Sequence, residues 1–201
     1  MLWQNIHRLD QVITLEINSW GSPVTDQIWK VFSNIPVWIP MYILIAALLI
    51  WKLGWKRGLV SLIAAALTFA FCDQFSNLIK EAVGRVRPLN DDFMLNGGLN
   101  VLEKGSKSFG FFSAHAANAF GLATCTYTAI KNILLHSSRR MPGWFKAYTI
   151  WIFIWACMVA ISRVFVGKHY LGDVVAGAIV GTAAGYIFSS LACLIARRIK
   201  L

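Results

Sequence analysis

Charged side chains are scarce: Asp, Glu, Lys and Arg make up 14% of the 201 residues, against 57% hydrophobic. A soluble domain needs a polar outer shell, and this composition does not supply one. Acidic residues are scarcer still, nine against nineteen Lys and Arg, for a formal net charge of +10. Those cations lie in clusters between apolar runs, with no continuous basic face, so nucleic acid is excluded as a partner and anionic lipid favoured. The four cysteines, Cys72, Cys125, Cys157 and Cys193, form no CxxC and stand in no Cys/His spacing suited to zinc. They read as packing residues. The N-terminal stretch MLWQNIHRLDQVITLEI has no long uncharged core and no small-residue cleavage site. It is therefore not read as a signal peptide, and membrane targeting falls to the first span.

What is present in abundance is apolar sequence in membrane-sized blocks. Nine Trp and thirteen Phe suit a chain whose ends lie where lipid meets water. Residues 1–35 mix apolar and polar positions at spacings of three and four, broken by Gly-Ser-Pro at 21–23, and predict short interfacial helices. Five stretches then approach the roughly 20 residues a spanning helix requires: 37–55, 58–80, 113–135, 147–166 and 172–196. The expected fold is an all-α polytopic membrane bundle in one domain, 1–201. The loops at 52–57 and 131–146 and the tail RRIK are basic and contain no Asp or Glu, which puts them in the cytoplasm. The N-terminus, the 88–112 loop and the 163–172 turn then share the opposite side.

Three segments reach that outer side: KEAVGRVRP at 80–88, FSAH at 112–115 and SRVFVGKHYLGD at 162–173. A bundle brings them together, gathering Lys80, Arg87, Ser113, His115, Arg163, His169 and Asp173. Three cations around one point repel unless an anion sits between them, and Arg forks match phosphate oxygens. The implied ligand is a phosphate, with Lys80, Arg87, Arg163 and Ser113 as its binding set. These groups would stabilise a phosphoryl group in transfer, the part Mg²⁺ plays elsewhere, and no carboxylate cluster suited to a metal is evident, so no metal or cofactor is expected. His169 and Asp173 are four apart, so the carboxylate can hold one ring nitrogen and present the other as nucleophile. His115 would protonate the leaving oxygen and then activate water.

In these residues the chain resembles the type 2 phosphatidic acid phosphatase (PAP2) superfamily, with motifs KxxxxxxRP, PSGH and SRxxxxxHxxxD, over roughly residues 25–196. The first and third motifs match over Lys80–Pro88 and Ser162–Asp173. The second departs, with Phe112 for Pro and Ala114 for Gly, leaving Ser113 and His115. The resemblance implies a helical bundle with an extracytoplasmic pocket, in a bacterial inner membrane. It also implies a lipid phosphatase acting through a phosphohistidine, on undecaprenyl diphosphate, phosphatidylglycerophosphate, phosphatidic acid or a lipid A type phosphate. The motif is similar in vanadium-dependent haloperoxidases, but those are soluble, and five apolar spans argue against that activity. The alternatives are a lipid phosphotransferase on this scaffold and a catalytically silent membrane scaffold.

Other polar positions have blander readings. Arg85 and Lys168 are equally readable as snorkelling anchors or as a wider positive field. Asp73, within a span, is expected to contact another helix. Gly177, Gly181 and Gly185 form a small-residue stripe read as internal packing, not as a dimer face. His7 and His136 are read as interfacial or loop residues. The long 88–112 loop is expected to gate the pocket through residues 91–107.

Overall fold

A computed structural model describes residues 2–105, 108–137 and 141–198. Within them the chain forms α1 (Leu2–Ser19), α2 (Pro23–Ser33), α3 (Ile39–Leu53), α4 (Trp55–Val83), α5 (Asp92–Asn96), α6 (Ala114–Ser137), α7 (Gly143–Phe165) and α8 (Leu171–Arg198). Single 3₁₀ turns cover Ile35–Trp38 and Pro88–Asn90. The break at 21–23 works as a helix start: Pro23 occupies the first turn of α2, and Ser22 and Thr25 form a reciprocal capping box.

The stretches Ile35–Leu53, Trp55–Asn96, Gly143–Phe165 and Leu171–Arg198 contain helices long and apolar enough to cross a bilayer. Their outer faces carry exposed Ile43, Leu44, Ile63, Leu67, Ile154 and Ile179, as lipid-facing helices should. The fifth expected span, α6, has 24 residues but a different composition. It is enclosed by its neighbours, and Ala116, Ala117, Ala119, Ala123, Ala129 and Thr126 on it are buried. A central helix needs small side chains more than apolar bulk, because every face must admit another helix.

The closest of these contacts is with α8. A Cβ added at Gly177, Gly181 or Gly185 would lie 2.4, 2.0 and 2.4 Å from the carbonyl oxygens of Ser113, Ala117 and Gly121. Only glycine permits that approach, and the stripe is internal, as expected from its register with Asp173. On the other side of α6, toward α3 and α7, Leu49, Ile130, Ile152, Trp155 and Ala156 build the main core.

Sidedness follows from the hairpins. Arg57, Asn132 and Arg197 line one groove, so the three basic segments meet at one end of the bundle. The end of α4, the start of α6, the end of α7 and the start of α8 meet at the other, where Ser113 N donates to Asp173 O and Gly110 N to Arg85 O. Residues 138–140 of the basic loop, 199–201 of the tail and 106–107 of the expected gate lie outside the described residues.

The face α1 turns inward is polar. Gln11, Thr14 and Asn18, spaced by three and four, are buried, while Trp3, Ile6, Leu9 and Val12 are exposed. Asn18 donates to the carbonyls of Asn100, Val164 and Phe165 and accepts from Asn100 N. It thus satisfies carbonyls at the C-terminal end of α7 that the helix itself cannot.

Candidate active site

Each cation reaches the pocket because its helix ends there. α4 stops at Gly84, whose left-handed φ of 63° lets its N–H return to Lys80 O and turns the chain away. Lys80 is left on the final turn, 7% exposed, and Arg87 follows on the extended segment before Pro88. Arg163 sits in the last turn of α7, and Val166–Tyr170 carry the chain across to α8.

These ends enclose a cavity of about 270 Å³ lined by Lys80, Arg87, His115, Arg163, Lys168 and His169, with Asp73 and Asn118 below. A second cavity of about 180 Å³ shares Ile35, Asp73, His115 and Asn118 with it and continues among Phe32, Trp38, Tyr42, Phe69 and Trp155. One space is cationic and the other aromatic, and they share a wall formed by Ile35, Asp73, His115 and Asn118.

His169 is 2% exposed, and its two ring nitrogens face different partners. Nε2 lies 3.0 Å from Arg87 Nη1. A guanidinium only donates, so Nε2 must accept, and the proton of the neutral ring lies on Nδ1. Nδ1 lies 3.5 Å from Asp173 Oδ2, an ion-pair distance that falls short of a formed hydrogen bond. The ring therefore carries its proton on the side of the carboxylate and its lone pair on the cavity side, where that lone pair accepts from Arg87 and becomes free to attack only when the guanidinium turns to a phosphate oxygen. Burial is the main influence holding the imidazole down to about 4; Asp173 opposes it, while Arg87 and Arg163 add to it. At neutral pH His169 is uncharged.

Asp173 is fully buried, and Oδ2 also accepts from Tyr170 N at 3.1 Å. Arg87 is anchored by Ser108, through Nε to its carbonyl at 2.9 Å and Nη2 to its hydroxyl at 3.0 Å. Desolvation lowers the Arg87 guanidinium, with Asp173 opposing.

Ser113 is placed differently from expectation. It is fully buried and caps α6, its Oγ 3.4 Å from Ala116 N and its own N–H given to Asp173 O, so it does not line the cavity. Phe112, where the motif has Pro, is core, packed with Cys72, Phe75 and Ala117. Ala114 does line the cavity.

Arg85 is not a snorkelling anchor: its guanidinium bridges Asp173 Oδ1 at 2.6 Å and Asp10 Oδ2 at 2.7 Å. Lys168 lines the cavity and lies 3.7 Å from Glu103 Oε2. His7 also departs from its bland reading, standing 3.1 Å from Arg85 Nη2 and edge-on to the Tyr170 ring. The side chain of His136 lies outside the described residues. Asp73 makes the expected interhelical contact, accepting from Asn118 Nδ2 at 2.7 Å, but does so on the cavity wall.

Glu103 and Ser33 were missed by sequence reasoning. Arg163 donates to Ser33, which donates in turn to Glu103, and Glu103 Oε2 is 3.6 Å from Arg163. The available signal was an acid just ahead of Lys104 and Lys107 in a long loop.

Residues 57–193 match the PAP2 superfamily, and the chain belongs to it. It is 34% identical over 200 residues to the lipid A 4'-phosphatase of Bacteroides thetaiotaomicron, covering 96% of this chain and 80% of that protein. With the lipid A 4'-phosphatase of Porphyromonas gingivalis it shares 26% over 182 residues, 90% of this chain and 72% of that one. Among solved structures, the transmembrane PAP2 type phosphatidylglycerolphosphate phosphatase from Bacillus subtilis superposes with a TM-score of 0.70 at 23% identity, covering 93% and 86% of the two chains. Aquifex aeolicus LpxE gives 0.59 at 19%, covering 89% and 93%.

Proposed function

We propose that this multi-pass membrane protein is a lipid phosphatase that removes a phosphate monoester from a lipid A type glycolipid on the periplasmic side of a bacterial inner membrane. The observation that carries this is the His169 ring between Asp173 and Arg87, lining one cavity with Lys80, Arg87 and Arg163. The two curated relatives named lipid A 4'-phosphatase support the choice of substrate. The aromatic cavity beside the cationic one, sharing its wall at His115, gives the apolar and sugar portions of such a lipid a place next to the phosphate.

In the reaction, His169 Nε2 attacks phosphorus. A P–N bond forms as the ester P–O bond breaks, and His115 passes a proton to the departing lipid oxygen. Water then attacks the phosphohistidine, giving its proton to His115, the P–N bond breaks and inorganic phosphate leaves. Lys80, Arg87 and Arg163 hold the equatorial oxygens through both steps. Asp173 supports the charge that His169 acquires.

Purified protein incubated with bisphosphorylated lipid A as sole substrate should release inorganic phosphate and a lipid lighter by one phosphate, in the presence of EDTA. Loss of the phosphate from lipid A only when a second lipid is added as acceptor, with that phosphate recovered on the acceptor and not as inorganic phosphate, would establish the phosphotransferase instead, and no turnover of any lipid phosphate would establish the silent scaffold.

A further inference from the structure

Asp173 divides its two oxygens between two sides of the molecule. Oδ2 faces His169 and Tyr170 N, while Oδ1 accepts from Arg85. A fully buried carboxylate needs lasting compensation, and His169, neutral at rest, supplies none. The resting counter-charge is Arg85, which lies outside the catalytic cavity, on the wall of a separate space of about 860 Å³ beneath α1.

Arg85 is itself oriented from several directions. Its Nη2 meets Asp10 Oδ2 and His7 Nδ1 from α1, and its guanidinium lies 4.0 Å from the centroid of the Tyr170 ring. Tyr170 is held in turn by Asp91, which accepts its hydroxyl proton. Asp10 does a second job with its other oxygen, accepting from Gly172 N at 2.9 Å, while Thr14 Oγ1 accepts from Leu171 N at 3.0 Å. These are the first amides of α8, which have no partner within the helix. A Cβ at Gly172 would fall 2.7 Å from the Asp10 carboxylate, so the contact is a close one. Helix α1 therefore holds both the cation that balances Asp173 and the helix turn that carries it.

We propose that Arg85 and Asp10 are positioning residues of the phosphatase reaction, a chain of alternating charges from the interfacial helix to Asp173 that fixes the orientation of His169 and tunes its readiness to attack. This rests on the reading of His169 as the nucleophile. Removing Arg85 leaves Asp173 with an unbalanced negative charge that stabilises the imidazolium, so a higher pH is needed to free the lone pair. Removing the charge of Asp10 has the opposite sign, because Arg85 then acts on Asp173 without its own partner.

The test is the pH dependence of kcat/KM, with kcat and KM, for Arg85→Ala, Arg85→Lys, Asp10→Asn and His169→Ala on a bisphosphorylated lipid in detergent. For Arg85→Ala, kcat should fall roughly 10- to 100-fold with KM nearly unchanged, as for loss of an orienting partner. Its acid limb should move up by about one pH unit, the scale of a full charge removed at this range. Arg85→Lys should restore the limb and part of kcat, and Asp10→Asn should move the limb down by a smaller amount. Limbs that stay fixed, or move the same way in Arg85→Ala and Asp10→Asn, overturn the proposal. Should Arg85→Ala fail to fold, Arg85→Lys with its limb at the wild-type position and Asp10→Asn with its limb below it decide it, an Asp10→Asn limb at or above the wild-type position overturning it. Activity in His169→Ala would overturn the function reading itself, a different outcome from an inactive His169→Ala beside unshifted limbs.

Discussion

The two sides of the His169–Asp173 pair are both built around arginine, yet their charges are balanced differently. On the α1 side, Arg85 sits between two carboxylates, Asp10 and Asp173, and the set is complete without any ligand. On the cavity side, Lys80, Arg87, Arg163 and Lys168 share one space with Asp73 low on its wall and Glu103 near Arg163 and Lys168. Cations with their carboxylates beside them hold structure in place; cations in excess around a cavity await an anion. The contrast separates positioning from binding, although both sides use the same residue type.

That contrast can be broken most forcefully at its centre. His169→Ala should lower kcat by about 10⁴-fold or more, the scale for loss of a nucleophile, as read by phosphate release. Arg87→Ala comes next, at roughly 10²- to 10³-fold, because it removes both a donor to the phosphoryl oxygens and the group facing Nε2. The wild-type pH profile is a milder probe. Since the neutral ring attacks and is held down to about 4, kcat/KM should stay level from pH 7 toward 5 and fall only near 4. That profile must be corrected for the substrate's own ionisation near 6; a corrected limb at 6.5 would mean His169 is not the group being titrated. The smallest effect belongs to Glu103, a half-buried carboxylate competing with the ligand for Arg163 and Lys168. Glu103→Gln should tighten inhibition by inorganic phosphate about two- to fivefold.

The cavity side was legible from sequence because its residues carry fixed spacings at helix ends. Lys80 and Arg87 straddle the glycine that ends α4, and Arg163, His169 and Asp173 straddle the turn between α7 and α8. Residue type and position together signalled an anion. The five long helices were legible within a few residues at each end, four of them from apolar length and α6 in spite of its small, more polar residues. The α1 side was not, because its partners are scattered. Asp10, Arg85 and Asp173 are separated by 75 and 88 residues, and nothing in an interfacial amphipathic pattern says which face turns inward. Only the spacing of Gln11, Thr14 and Asn18 hinted that the polar stripe, and not the apolar one, meets the protein. Ser113 was misplaced for a related reason: a serine before a helix caps it as readily as it binds a ligand.

The most direct measurement is the capture of phosphate on His169. An aryl phosphate needs little help from a proton donor to leave, so in His115→Ala the first step should proceed while water activation stalls. The account predicts an acid-labile phosphate accumulating on the peptide that contains His169. Turnover of that aryl phosphate by wild-type enzyme with no such adduct in His115→Ala, or with the label on another residue, would contradict it.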